Sequence, residues 1–456
     1  MGTLYQEELE TPAILQDLKI TYHDSSLIFP SKETEKRIMF LSNIDKILNF
    51  NVQTVHFFPR NSKFPPEAVT QRLKDALSRV LVHYDFLAGR LRTNPETGRM
   101  EINCNAGGAG FVVASTEFAL DEIGDLVYPN PVFQDFAVQS LKGSKAEDQP
   151  LCIVQVTSFK CGGFVLGFST NHCLFDGLSF KHFLENLASQ AYADDKLPLP
   201  IIPCNNRALL AARSPPRVTF PHPELLPLPL PAGDEACPSV FDCSPQDLDA
   251  KVLRLSSDDI AHLKIMAKMG PNRGTSKITG FNVVTAHIWR CKALSCSETV
   301  ENPSRISTVL YAVDIRSRLR PPLPISYSGN AVLSAYAMAS CTDLESGPFS
   351  RIVEMVTEGA ARITDEYAWS VIDWGETYMG FPNGEFLVSS WWRLGFQEVE
   401  YPWGKPKYSC PIVYHRKDII LLFPDINDGV NAVNVLVALP KDEMKKFQAL
   451  FYKFLN

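Results

Sequence analysis

Apolar and polar residues alternate along 51–59, Asn-Val-Gln-Thr-Val-His-Phe-Phe-Pro, with the period of two that predicts a β-strand. Pro65 and Pro66 then open a stretch to Tyr84 in which Val69, Leu73, Leu77 and Val80 recur at helical spacing. Proline at the helix entry and one apolar stripe predict an amphipathic helix. Segments 98–105 and 110–115 read as strands around the turn Gly107-Gly108-Ala109-Gly110, which lacks the strand–glycine–helix context of a dinucleotide site. From Leu151 to Asn171 the chain reads as two long apolar strands joined at Cys161-Gly162-Gly163, and a helix is predicted from Gly177 to Asp194.

In the second half, Ser256 or Ser257 is placed to cap a helix whose first turn carries Asp258 and Asp259. Residues 278–295 have helical spacing from about Asn282, and 305–319 form a β-rich run into an arginine cluster. Residues 351–374 read as one long helix of mixed charge, and 385–396, 418–426 and 431–439 as strands. Both halves are mixed α/β, without the regular alternation of a doubly wound parallel sheet.

Between the halves the pattern breaks. Roughly a third of the 33 prolines fall in 198–245. Proline removes amide donors and fixes φ, so this stretch is expected to be neither helix nor central strand but a semi-extended crossover. A chain of 456 residues exceeds what one core organises. The expected domains are 1–197, carrying His172, and 246–456, joined by the 198–245 crossover.

Composition narrows the function. A net charge of −7 argues against a nucleic-acid partner, since phosphate binding needs a basic face. No apolar run approaches a membrane span. The N-terminal residues are acidic and without an apolar segment, and Gln6 stands where a myristoylation signal needs Ser or Thr. The 11 cysteines form no C-x-x-C pair and read as reduced thiols. A cytoplasmic monomer is the expectation.

The segment Thr170–Phe180 concentrates the chemistry: His172 ends an apolar strand, and Asp176-Gly177 follows just before a helix. A histidine here has a bland reading, as a satisfied core residue. A metal role lacks ligands at spacing, Cys173 and Asp176 apart, so no metal is expected. Cys173 sits in an apolar run without a nearby cation and reads as an inert thiol, and His182, inside the helix, reads as structural. The local chemistry favours a base: an imidazole at a strand end faces a cleft and accepts a proton at neutral pH. Asp-Gly is expected to supply a left-handed turn. No G-x-S-x-G nucleophile occurs, which suggests direct transfer of an activated acyl group.

His172–Gly177 resembles the H-x-x-x-D-G motif of the plant BAHD acyl-CoA-dependent acyltransferases. Further segments are similar to that family in order and spacing: Tyr84–Leu91 (YDFLAGRL), Phe281–Leu294 (FNVVTAHIWRCKAL), Val313–Val332 (VDIRSRLRPPLPISYSGNAV) and Ser389–Ser409 (SSWWRLGFQEVEYPWGKPKYS). The resemblance implies two chloramphenicol-acetyltransferase-like α/β domains of mixed sheets with flanking helices, with a channel between them and His172 at its middle. It implies no permanent cofactor, an acyl-CoA co-substrate, and a small alcohol or amine acceptor that His172 deprotonates. It implies that Asp176 points away from the channel and pairs with Arg316, holding the turn that includes Gly177. Ser389 and Trp391 match positions that donate hydrogen bonds to the oxyanion or acyl oxygen, although core packing explains Trp391 equally well. Arg273 and Lys277 are candidates for the CoA phosphates, with Thr285 nearer the pantetheine arm.

One loop departs from the family. Glu400-Tyr401-Pro402-Trp403-Gly404 stands where the family has D-F-G-W-G. Proline for glycine removes a donor and access to positive φ. A non-catalytic interaction protein on the same scaffold is therefore the rival reading, and an acyl-CoA thioesterase is a third.

Overall fold

The computed structural model describes residues 18–127, 130–192, 198–229, 247–269, 278–412 and 416–455. Two six-stranded sheets organise these residues. The first has the spatial order Thr21–Ile28, Ala109–Thr116, Cys152–Phe159, Phe164–Asn171, Asn51–Phe58, Tyr408–Pro411. Its strands pair antiparallel except Ala109–Thr116 with Cys152–Phe159. Strand Phe164–Asn171 is buried at every position. A strand covered on both faces has no polar side to show, which is why the sequence reads there as an apolar run as far as Phe168.

The second sheet has the order Asp249–Leu255, Gly429–Leu439, Ile419–Asp425, Phe386–Ser390, Ile306–Asp314, Val332–Ser340. Phe386–Ser390 runs parallel to both neighbours. Each sheet carries its own helices. Pro66–Val80 and Gly177–Gln190 pack together in the core of the first, with Val69, Leu73, Leu77 and Val80 all inside. Gly280–Ser295, Ser257–Lys268, Phe349–Arg362 and Lys441–Lys453 enclose the second. Each fully buried Leu, Val or Phe side chain contributes roughly 1.5–3 kcal/mol. Ser256 caps its helix with a reciprocal box, its hydroxyl meeting Asp259 N–H while the Asp259 carboxylate accepts from Ser256 N–H.

Several expectations need correction. Residues 351–374 do not form one helix: Phe349–Arg362 ends at Ile363, whose ψ of 81° is not helical, and Asp365–Trp374 starts afresh. Thr364 causes the restart, because its side chain caps Tyr367 N–H. The strand expected over 385–396 stops at Ser390, where the chain turns. The described part of the Pro-rich stretch is, as expected, neither α-helix nor central strand: Arg207–Leu210 forms a 3₁₀ turn, and Leu225–Pro229 pairs with Tyr378–Pro382 in a two-stranded ribbon, the edge position proline permits. Residues 230–246 lie outside the described residues. The first sheet also takes its last strand, Tyr408–Pro411, from far beyond the crossover. No helix among the described residues is long and apolar enough to cross a membrane.

Candidate active site

Strand Phe164–Asn171 ends one residue before His172, and helix Gly177–Gln190 starts five residues after it. The chain between is fixed almost entirely through its backbone. His172 N–H donates to the Phe50 carbonyl at 2.7 Å, and the His172 carbonyl accepts from Asn330 Nδ2 at 2.9 Å. Arg207 donates to the carbonyls of Cys173 (3.2 Å) and Leu174 (2.7 Å). Arg207 is itself fully buried and paired with Asp45 at 2.9 Å, and Asp45 also accepts from both amides of Asn330. Thus the crossover, the second half and the first helical turn of the chain converge on one short loop.

Asp176 caps the following helix. Its Oδ1 accepts from Ser179 N (2.9 Å) and Ser179 Oγ (2.7 Å), and Oδ2 accepts from Ala331 N (3.0 Å). Arg316 Nη2 lies 2.8 Å from Oδ2 in an almost fully buried pair. The same nitrogen donates to the carbonyls of Tyr327 and Gly329, while Nη1 holds Asp314 at 2.8 Å. Asp176 makes no hydrogen bond to the His172 ring, so its charge acts on the imidazole only from a distance.

Gly177 does not take a left-handed conformation and is simply the first residue of the helix. Glycine is needed there for room: a Cβ would lie 2.6 Å from Leu394 Cδ1.

The His172 ring borders a cavity of about 940 Å³, lined from both halves of the chain. Phe50 meets the ring edge-on at 5.2 Å. Among the described residues, neither Nδ1, which is buried, nor Nε2 makes a hydrogen bond of good geometry. Burial pushes the imidazole below its usual pKa, while its own backbone, Asp176, Asn330 and Phe175 pull the other way. His56 and His287, pushed down to about 3 by burial, are packed in the cores and do not border the cavity. Burial pushes the Cys173 thiol well up, as an inert sulfur requires.

Ser389 and Trp391 border the same cavity. The Trp391 backbone N–H is bonded to the Leu422 carbonyl and its ring packs on Phe396 at 5.4 Å, but neither its indole N–H nor the Ser389 hydroxyl has a hydrogen-bond partner among the described residues. Thr285 stands elsewhere: it is fully buried inside helix Gly280–Ser295 and does not border the cavity. Arg273 and Lys277 lie outside the described residues. Asp45, Arg207 and Asn330 escaped the sequence reading. Asn330 had a signal, since it ends the Ser-Gly-Asn of the 313–332 segment. Arg207 was hidden in a proline-rich stretch that composition reads as linker.

The variant loop lies away from the cavity. Tyr401 and Gly404 exchange backbone hydrogen bonds of 3.2 and 2.9 Å around Pro402, whose missing N–H neither bond requires. Gly404, at φ 110°, takes the residue-specific conformation. Tyr401 and Trp403 stack at 5.1 Å and pack on Phe58. Glu400 is exposed. Restoring the family residues, Glu400→Asp with Pro402→Gly, is expected to leave turnover unchanged. It should cost about 0.4–1 kcal/mol, because glycine adds unfolded-state entropy. Denaturant melts and CoA-release rates on both forms check this, and a tenfold gain in turnover would overturn it.

A family model described as Transferase family matches residues 18–454. The chain is 58% identical to the acyltransferase GLAUCE of Arabidopsis thaliana over 455 residues, 99% of each chain. It is 32% identical to the Arabidopsis thaliana fatty alcohol:caffeoyl-CoA acyltransferase, covering 95% of this chain and 98% of that one. Among solved structures, vinorine synthase superposes with a TM-score of 0.71 at 23% identity, covering 94% and 96% of the two chains. TRI101 of F. sporotrichioides, complexed with coenzyme A and T-2, superposes with a TM-score of 0.69 at 14% identity, covering 91% and 97%. At those identities the two structures establish the shared two-domain fold.

Proposed function

We infer the reaction from one premise: the chain belongs to the BAHD acyltransferases of the Transferase family, and is an acyltransferase enzyme. The proposed reaction is direct transfer of an acyl group from a CoA thioester to a small alcohol or amine, with His172 as general base. The observation that carries it is the His172 ring, set on a main chain bonded on both sides, with a nitrogen free of partners among the described residues beside a large cavity.

The acceptor O–H or N–H hydrogen-bonds to His172 Nε2 and gives up its proton as the heteroatom attacks the thioester carbon. The carbonyl π electrons move onto oxygen, where the Ser389 hydroxyl and the Trp391 indole N–H are available as donors. The oxyanion collapses, the C–S bond breaks, and the imidazolium returns the proton to the departing CoA sulfur. Asp176 and Arg316 serve as positioning residues for the turn. CoA acts as a co-substrate released each cycle. Its contacts with Arg273, Lys277 and Thr285 rest on family resemblance, and the buried place of Thr285 favours packing for that residue.

Measuring thiol release from a panel of acyl-CoAs, with and without alcohol and amine acceptors, tests this. Acceptor-dependent release is expected. Release without acceptor marks a thioesterase, and none at all marks a non-catalytic scaffold.

The pH profile gives an independent check. Burial lowers the His172 pKa, so protonation silences the base only at lower pH than for a free histidine. The rate kcat/KM is expected to fall in acid toward tenfold per unit, with its midpoint below the roughly 6.5 of a free histidine. A midpoint at or above neutrality would exclude His172 as the titrating base.

A further inference from the structure

We propose that the cavity beside His172 is built for a long aliphatic chain that carries no carboxylate. This rests on the acyl-transfer reading and adds the substrate class. The cavity's volume of about 940 Å³ is at the upper end for small-molecule sites.

Its wall is aliphatic where three parts of the chain meet. Ile47 and Leu48 follow the turn Asn43–Lys46, Leu225 comes from the crossover, and Val371 from helix Asp365–Trp374. All four are only partly buried, and all border the cavity. The junction is a fixed one: Asn43 Nδ2 bonds the Ile372 carbonyl at 2.8 Å, and Leu225 pairs with Pro382.

The charged residues at the wall are already engaged. Among the described residues these are Asp176, Glu224, Asp314 and Arg416. Asp176 and Asp314 share Arg316, and Arg416 is held by Asp418. Glu224 Oε1 accepts from Tyr367 at 2.6 Å and contacts His222 at 3.2 Å. Its Oε2 is buried without a partner among the described residues and offers an incoming acid no donor. Hence no cation among these residues is free to receive an acid, while apolar surface awaits a chain.

The chain could arrive on the acceptor or on the acyl-CoA, and two arms separate these sources. In one, 1-alkanols from butanol to hexadecanol are compared at fixed acetyl-CoA. In the other, acyl-CoAs from acetyl to palmitoyl are compared at fixed 1-butanol. One series is expected to show kcat/KM rising roughly two- to fourfold per methylene until the cavity fills. A matched pair tests the charge: 1-dodecanol should exceed 12-hydroxydodecanoate on the order of a hundredfold, because the carboxylate would be buried unpaired. Val371→Trp and, independently, Ile47→Trp should shift the preferred chain length down by several carbons. Flat series in both arms, or equal use of the hydroxy acid, overturn the proposal. If transfer then proceeds to polar acceptors, only the substrate class is lost. If no acceptor of any kind supports transfer, the acyl-transfer reading falls with it.

Discussion

Replacing His172 with alanine is expected to lower kcat/KM for acyl transfer by about 10²–10⁴-fold, the range for loss of a general base. The fold should survive. The loop's hydrogen bonds run through the His172 backbone, to Phe50 and Asn330, and the variant keeps them. The ring itself loses only an edge contact with Phe50 and its share of the cavity wall. The measurement is single-turnover CoA release with saturating donor and acceptor, accompanied by a thermal melt. A variant that melts with the wild type and transfers as fast would remove the base from the mechanism. Ser389→Ala with Trp391→Phe on the same assay reports separately on the proposed oxyanion donors.

The second large effect concerns stability. Asp176→Asn or Arg316→Gln leaves a charge nearly sealed from water without its partner, at about 3–5 kcal/mol for such a pair. The two losses should be unequal. Without Arg316, Asp176 still receives Ser179 N–H, Ser179 Oγ–H and Ala331 N–H at a helix N-terminus. Without the Asp176 charge, Arg316 keeps the more exposed Asp314 and two carbonyls. Chemical denaturation of both single variants and the double variant measures the coupling. Strictly additive losses would show that the pair does not interact in solution.

Elements with a single strong period were legible in the sequence. Helix Pro66–Val80 and strands Asn51–Phe58 and Phe164–Asn171 follow directly from where their apolar residues fall. Strand Val332–Ser340 was missed. It is an edge strand rich in Ala and Ser, with alternation too shallow to stand out. The break at Thr364 was missed because the apolar spacing continues across it while one hydroxyl cap resets the backbone. At the site, the histidine turn was legible because strand, His and Asp-Gly are contiguous. The Asp45–Arg207–Asn330 network was not, since its members are separated by more than a hundred residues and meet through one buried ion pair and amide bonds to its carboxylate.

The strand Tyr408–Pro411 has a consequence for how the protein is made. It closes the first sheet against Asn51–Phe58. A ribosome delivers Asn51–Phe58 early and Tyr408–Pro411 near the end. Throughout elongation the nascent first half therefore presents an unpaired row of amides and carbonyls, on a strand whose six C-terminal residues are buried in the finished protein. Such an edge invites pairing with another chain. The interval between the two strands is thus a period of exposure to misassembly, which a holding chaperone would cover and which ends when residues 408–411 dock.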